Sequence, residues 1–287
     1  MSSGVLGEDS GRLSASRNFV RSSVMPYLKV QPVGFRNAFR LWTGYGVSLR
    51  SVTTSFHRHP AVGEGIPGRS PVTVSVFGAK FRVRPGTNDL DIVVHHEPET
   101  FAWFRVQPGD VVVDVGAHIG RYTVLGARLG GQVVSIEPDP ANFEMLAANV
   151  QLNGPSDVHL ERVAASDANG LRRFLPSTGS NRGTSALESE SNADPSREGV
   201  LVECRRLDDI VERHGLSRID WLKIDVEGHE VEALHGADRC LSITRRLSLE
   251  VTAESEKACR SITDRAGFEI EAEERGVPAS NILMRKA

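Results

Sequence analysis

Cysteine is scarce in this chain, and what there is forms no pattern. Cys204, Cys240 and Cys259 are the three in 287 residues. None stands in a C-x-x-C pair, so nothing suggests a zinc knuckle or a disulfide framework. Reduced, structural thiols in a cytoplasmic protein are the expectation. No run approaches the roughly 20 apolar residues that a membrane helix needs. The N-terminus lacks a basic segment leading into an apolar stretch, so no secretory signal is read. Aromatics make up only 6%, do not alternate with basic residues, and accompany no RGG run. Nucleic acid is therefore not an expected partner. Charged and apolar fractions, 25% and 39%, are ordinary for a protein with a real core.

A large surplus of charge is also missing, since the net is −3. That balance hides an asymmetry. Residues 1–60 hold eight Lys or Arg against Glu8 and Asp9, leaving the rest of the chain at −9. A basic arm on an acidic body suits peripheral contact with an anionic surface. Residues 1–16 are Ser/Gly-rich and read as disordered. Residues 17–42 mix arginine with apolar side chains. Pro26 and Pro32 limit them to short helices, which could pack on the body or at a homo-oligomer contact. His57 to Pro60 open a Gly/Pro-rich linker, and His57 with His59 lack a third metal ligand. The chain thus divides into a basic extension, 1–70, and a domain over 71–287.

Within that domain, 72–77 and 80–84 alternate as a β-hairpin. Thr87 reads as the N-cap of a helix carrying Leu90, Val93 and Val94 on one face. From Val111 onwards strands and helices alternate. Strands are expected at 111–115, 132–137, 158–164, 219–225 and 247–251, with helices at 119–129, from Asp139-Pro140 to Gly154, at 207–214, 228–236 and 255–265. Strands near 171–175 and 199–205 read as an inserted hairpin around a long polar loop, 176–198, in which Asn181-Arg182-Gly183-Thr184-Ser185 is a candidate substrate lid and 186–198 reads as disordered. Phe268–Glu273 and Asn281–Arg285 close the chain. The fold class is α/β: a Rossmann-like, doubly wound, mostly parallel seven-stranded sheet with an antiparallel C-terminal strand.

The stretch that carries the chemistry is Val111-Val112-Val113-Asp114-Val115-Gly116-Ala117-His118-Ile119-Gly120. A Val-rich strand buried on both faces runs into a glycine turn and then a helix. A dinucleotide site wants G-x-G-x-x-G. Here His118 holds the second glycine position, where its imidazole would displace a pyrophosphate. S-adenosylmethionine has no phosphate. It needs glycine beside the sulfonium and an acid after the second strand for the ribose hydroxyls. Glu137 fills that place, close to the spacing of about 20 residues from the turn that the rule sets.

From about Phe81 to Phe268 the chain resembles the FkbM family of S-adenosylmethionine-dependent methyltransferases. The resemblance rests on Asp114–Gly120, Glu137-Pro138, Leu207-Asp208-Asp209 and above all Lys223-Ile224-Asp225-Val226-Glu227-Gly228-His229-Glu230. Thr87-Asn88-Asp89-Leu90 is similar to the family's Thr-x-Asp helix. The resemblance implies O-methylation of a natural product, sugar or glycolipid. The first 70 residues lie outside it.

The site residues expected from these readings are as follows. Gly116, His118, Ile119, Gly120 and Tyr122 take the methionine part of the cofactor at the helix N-terminus. Asp114 either fixes the loop's amides or meets the cofactor ammonium. Glu137, with Pro138, takes the ribose. Ser166 and Asp167 follow the third strand, at the adenine position. Asp225, Glu227, His229 and Glu250 are candidates for aligning and deprotonating the acceptor. Asp225 also borders the cofactor, and Asp225 with Glu250 could hold a divalent ion such as Mg²⁺. Lys223, inside a strand, needs a carboxylate partner, Asp225 or Asp114. Thr87, Asp89, Arg182 and Thr184 are candidates for the small-molecule or saccharide substrate. The competing readings are a non-catalytic binding protein that keeps the fold, a nicotinamide-dependent dehydrogenase, and an N-methylating or RNA-directed enzyme.

Overall fold

The computed structural model describes residues 30–34, 36–44, 62–94, 98–155, 157–188, 196, 198–276 and 278–287. The Ser/Gly-rich start, most of the basic arm, the His57–Pro60 stretch and much of the 189–197 segment lie outside the described residues. The described residues fall into two units, 30–86 with 90–94, and 87–89 with 98–287.

The first unit is an antiparallel sheet of β1 (Gln31–Pro32), β2 (Val72–Val76) and β3 (Ala79–Val83) in that order. The hairpin is the expected one. Val72, Val74, Val76, Ala79, Phe81 and Val83 are buried, so the period-two alternation sets the inner face. Phe77 and Gly78 both have positive φ, 53° and 75°, the type I′ geometry that suits a two-residue hairpin. β1 was not anticipated. Its proline sits on the sheet edge, where a missing N–H is tolerated. Residues 36–44 form helix α1. Its Arg40 donates to the carbonyls of Pro67 and Ser70 at 2.7 and 2.6 Å. Helix α2 (Asp89–Val94) follows.

The second unit opens with α3 (Pro98–Trp103), β4 (Val111–Val115), α4 (Arg121–Arg128), β5 (Gln132–Ile136), α5 (Pro140–Asn153) and β6 (Val158–Glu161). It continues with β7 (Ala164–Ala165), β8 (Gly170–Leu175), β9 (Ala186–Leu187), β10 (Val200–Arg205), α6 (Leu207–Arg213) and β11 (Ile219–Ile224). It ends with α7 (Glu230–His235), α8 (Asp238–Ser242), β12 (Thr244–Thr252), α9 (Glu256–Arg265), β13 (Phe268–Glu274) and β14 (Ala279–Lys286). The central sheet runs β13-β14-β12-β11-β4-β5-β6. β14 is antiparallel to both its neighbours, whereas β12-β11-β4-β5-β6 pair in parallel. The seven-stranded, mostly parallel sheet is therefore as expected, and its antiparallel strand lies between β12 and β13.

Both faces of β4 are buried, which is why it reads as an unbroken Val run. Val113, Val115, Leu222, Ile224, Leu247 and Leu249 join one core. Val112, Val133, Trp221 and Leu283 join another, with Trp103 and Phe104 packed on it. Asp139 caps α5, accepting from the N–H groups of Ala141 and Asn142 at 2.8 and 3.3 Å, with Pro140 in the first turn. Gly154 ends α5 at φ 62°.

Two expectations need correction. The single strand at 158–164 is two: β6 stays in the central sheet, and β7 leaves it to pair with β10. The inserted hairpin is thereby part of a second, four-stranded sheet, β7-β10-β8-β9. The six-residue α3 and five-residue α8 were not foreseen, being too short to show a helical period. No helix among the described residues is long and apolar enough to cross a membrane.

Candidate active site

Register builds the site. Asp114 lies level with Ser135 on one side and Lys223 on the other, and Lys223 lies level with Ser248. One step further along the strands is the carboxyl edge of the sheet. There Glu137, Gly116 and Asp225 follow β5, β4 and β11, and Glu250 stands near the end of β12. Open α/β sheets bind their ligands at this edge.

Two tight loops shape it. Gly116 (φ 79°) donates its N–H to Ile136 O at 2.9 Å, and Ala117 N–H reaches the same carbonyl at 3.0 Å. A Cβ on Gly116 would lie 1.7 Å from the carbonyl oxygen of Asp225. Only glycine fits between the two loops. A Cβ on Gly120 (φ 92°) would meet Leu146 Cδ1 at 2.6 Å. Apart from Phe77, the described non-glycine residues with positive φ are His118 (51°) and Glu227 (54°), one in each loop. Such backbone costs about 1–2 kcal/mol per residue and concentrates at functional sites.

Glu137 is buried and ties the first loop to the second strand. Its Oε2 accepts from His118 N–H at 2.8 Å and its Oε1 from Asp139 N–H at 2.9 Å. Burial pushes its carboxyl up to about 8, against the pull of those two amides. Each oxygen retains a lone pair for a ligand hydroxyl. Ile119 is buried, and its carbonyl accepts from Asn149 Nδ2 at 2.8 Å.

Asp114 is also buried. Its Oδ2 accepts from Thr123 Oγ1 at 2.7 Å, and Thr123 is 2.7 Å from Ser135 Oγ. Its second oxygen has no hydrogen-bond partner among the described residues. Burial raises the Asp114 pKa, with Lys223 acting against it. The bond runs to α4 and not to the loop's amides. Lys223 takes the other of its two expected partners: its Nζ meets Asp225 Oδ2 at 2.7 Å. It also lies 5.0 Å from the ring centroid of Tyr122. Tyr122 stacks edge-on to Phe104 at 5.1 Å, and Phe104 to Trp221 at 5.7 Å. Tyr122 thus belongs to an aromatic box under Lys223, on the first turn of α4.

Asp225, Glu227 and Glu250 come together. One carboxylate oxygen from each lies within 4.8 Å of the others. His229 does not join them through its bonds. Its Nε2 is 3.1 Å from Ser166 Oγ and its Nδ1 3.5 Å from Glu232. Burial lowers its pKa, with Glu232 acting in the opposite sense. Ser166 also donates to Asp167 Oδ1 at 3.0 Å, and Arg172 meets the same oxygen at 2.8 Å. Slight burial works to raise the Asp167 pKa, but those two partners outweigh it and hold the group below its ordinary value. The end of the Lys223–Glu230 block is explained by its turn. Glu230 Oε1 accepts from Gly228 N–H at 2.8 Å and closes the loop that carries Glu227. Burial raises the Glu230 pKa.

The start of the long loop is anchored. Ser185 Oγ donates to Asp139 Oδ2 at 2.9 Å and accepts from Ser177 N–H at 2.9 Å. Asn88 holds Asn181 Oδ1 at 2.8 Å and accepts from Arg182 N–H at 3.0 Å. The Arg182 guanidinium donates to Ser177 O, and Thr184 Oγ1 to Asn181 O at 3.2 Å. A Cβ on Gly183 would come 3.3 Å from Glu227 Oε1. Segment 181–185 therefore borders both Asp139 and the acidic cluster. Thr87 and Asp89, the sequence neighbours of Asn88, are buried, and Thr87 Oγ1 accepts from Asp89 N–H at 3.2 Å. Sequence reasoning gave Asn88 no role and placed Asn181 and Ser185 only within the candidate lid, because their bonds run to partners 46–94 positions away.

Strand order, glycine turn and following acid together define a Rossmann-like methyltransferase fold. The methyltransferase FkbM domain matches residues 114–270, more than half of the chain, and the chain belongs to that family of S-adenosylmethionine-dependent methyltransferases. It is 31% identical over 197 residues to 2-O-methyltransferase NoeI of Sinorhizobium fredii, covering 62% of this chain and 80% of that protein. It is 25% identical over 203 residues to hexuronic acid methyltransferase AglP of Haloferax volcanii, covering 71% and 79%. It is 30% identical over 162 residues to 31-O-demethyl-FK506 methyltransferase FkbM of Streptomyces tacrolimicus, covering 47% and 62%.

Proposed function

We propose that this methyltransferase O-methylates a hydroxyl of a saccharide or a related small molecule. The observation that carries the reading is the convergence of Asp225, Glu227 and Glu250 beside the glycine turn. Two relatives whose names specify hexuronic acid or 2-O-methylation support the acceptor class. The residues present fit S-adenosylmethionine. Glu137 offers a buried carboxylate with free lone pairs, and Gly116 lets its turn close against Asp225 at the same edge. Glu137, with Pro138, would hold the ribose hydroxyls. Gly116, His118, Ile119, Gly120 and the first turn of α4 at Tyr122 would hold the methionine part. Ser166 and Asp167 would border the adenine, and Asp114 would support the turn through Thr123. Bound S-adenosylmethionine supplies a methyl group already activated on a sulfonium.

The chain's own task is to orient the hydroxyl and take its proton. Asp225 and Glu250 accept that proton, and Glu227 shares the charge. Asp225 is held in place by Lys223. His229 acts through Ser166 as a positioning residue. Arg182, Thr184, Thr87 and Asp89 border the acceptor. A second reading adds a divalent cation on the same three carboxylates, because an all-oxygen set at this spacing suits Mg²⁺. Chelation followed by Mg²⁺ addition tests it: loss and recovery of turnover at constant cofactor affinity supports the ion, and unchanged turnover removes it.

We read residues 71–287 as the catalytic domain and 1–70 as a basic extension suited to peripheral contact with an anionic surface or to self-association. The three cysteines are free and buried, which fits a reducing, cytoplasmic compartment. Incubation with labelled S-adenosylmethionine and methyl glycosides tests the whole reading. Base-stable label on a sugar oxygen is expected. Label on RNA or on an amine, with none on sugars, overturns it.

A further inference from the structure

The polar row at the sheet edge continues beyond Glu250. Asn281 of β14 is the direct antiparallel partner of Glu250, so both side chains stand on one face of the sheet. Directly opposed residues hold their Cβ atoms about 5 Å apart. On its other side Asn281 pairs with Glu274. That carboxylate is already engaged, since its Oε2 accepts from Thr100 N–H and Thr100 Oγ1 at 2.8 and 2.6 Å. Asn281 is different. It is 7% exposed, no side-chain hydrogen bond joins its amide to a described residue, and neither amide atom is among the sealed polar atoms that lack a partner. The amide is therefore open to a ligand on that face. Glu137, Asp225 and Glu250 mark the same edge, so the row runs from the cofactor half to Asn281.

We propose that Asn281 is an acceptor-positioning residue, and that its amide binds the hydroxyl next to the one methylated. This rests on the function proposed above and narrows its substrate to acceptors with adjacent hydroxyls. A carboxamide offers both N–H donors and a carbonyl acceptor. A hydroxyl is both donor and acceptor, so it satisfies either half. Glu250 receives the reacting hydroxyl, and Asn281, the next residue along the row, receives its neighbour. No proton is transferred through Asn281. Its effect is on binding and alignment.

The experiment compares wild type, Asn281→Ala and the near-isosteric Asn281→Asp. Acceptors are methyl β-D-glucuronide, methyl α-D-glucoside, methyl α-D-mannoside and their monodeoxy analogues, at saturating S-adenosylmethionine. Asn281→Ala is expected to raise the acceptor KM by about tenfold or more, the loss of one hydrogen bond in a desolvated site. Cofactor Kd stays unchanged, and kcat moves less than KM. Wild type discriminates against the analogue lacking the neighbouring hydroxyl, and Asn281→Ala loses that discrimination. Asn281→Asp, which keeps shape and acceptor oxygen, lies between the two. Equal KM and equal discrimination in wild type and Asn281→Ala overturn the inference. So does a parallel loss of cofactor affinity, which marks a structural role. If wild type binds S-adenosylmethionine but methylates no glycoside, the saccharide reading and this inference fall together. If it methylates them and Asn281→Ala changes nothing, the inference falls alone.

Discussion

Gly116→Ala separates the contact that joins the two site loops from ordinary backbone strain. Gly116 has φ 79°, and its added Cβ would sit 1.7 Å from the carbonyl oxygen of Asp225. The left-handed backbone alone costs alanine about 1–2 kcal/mol. The collision is with backbone, which no rotamer change relieves, and overpacking of that kind adds about 1–3 kcal/mol. The sum is about 2–5 kcal/mol. At about 2–4 °C per kcal/mol, Tm falls by about 4–20 °C. Gly154→Ala is the control, since Gly154 has φ 62° but nothing within 4 Å of the added Cβ. It carries the strain without the collision. Differential scanning calorimetry on both variants reads the stability, and titration with S-adenosylmethionine reads the site. Gly116→Ala should melt below Gly154→Ala and lose about tenfold or more in cofactor affinity, because Asp225 and the turn must separate. Equal melting temperatures with wild-type affinity in both would refute the placement of Gly116 against Asp225.

Other perturbations follow from the same geometry. Burial raises the Glu137 pKa from 4.5 to about 8, so the folded protein binds a proton there that the unfolded chain has released. The stability it contributes is whole below pH 4.5 and is lost as pH rises towards 8. Ribose hydroxyls donate to the ionised form, so cofactor affinity should rise with pH, by up to about tenfold per unit below 8. Glu137→Gln should flatten that dependence in calorimetry, and a flat wild-type profile would count against it. Asp225→Asn leaves Lys223 buried without its carboxylate, a loss of about 3 kcal/mol. Adding Lys223→Met should restore Tm but not turnover, whereas recovered turnover would make Asp225 purely structural. Ser185→Ala removes the tie to Asp139 and should speed amide hydrogen exchange in 177–187 while raising the acceptor KM. Unchanged exchange would show that the segment is held by its other bonds.

Much of the fold was legible because local pattern and tertiary role agree. β4 is buried on both faces and reads as a Val run. α5 opens with Asp139-Pro140 and closes at Gly154, and its caps follow the chemistry of those residues. The hairpin alternates because only one of its faces is buried. What was not legible depends on register. The sequence leaves Lys223 two candidate partners, Asp225 and Asp114, and the folded chain selects Asp225. His229, read as a candidate base, has its ring nitrogens turned towards Ser166 and Glu232. Nothing near Asn281 in the sequence marks it, and only its pairing with Glu250 does. Val158–Ala164 looked like one strand because a two-residue departure into a second sheet leaves no periodicity to detect.

The central claim is that the carboxyl edge from Glu137 through Gly116 to Asp225 binds S-adenosylmethionine. Calorimetric titration of wild type, Glu137→Ala and Asp225→Asn with S-adenosylmethionine tests it most directly. The expected result is saturable binding at one site per chain, weakened by about tenfold or more in Glu137→Ala and changed far less in Asp225→Asn. No heat with the wild type, or the same affinity in wild type and Glu137→Ala, would contradict it.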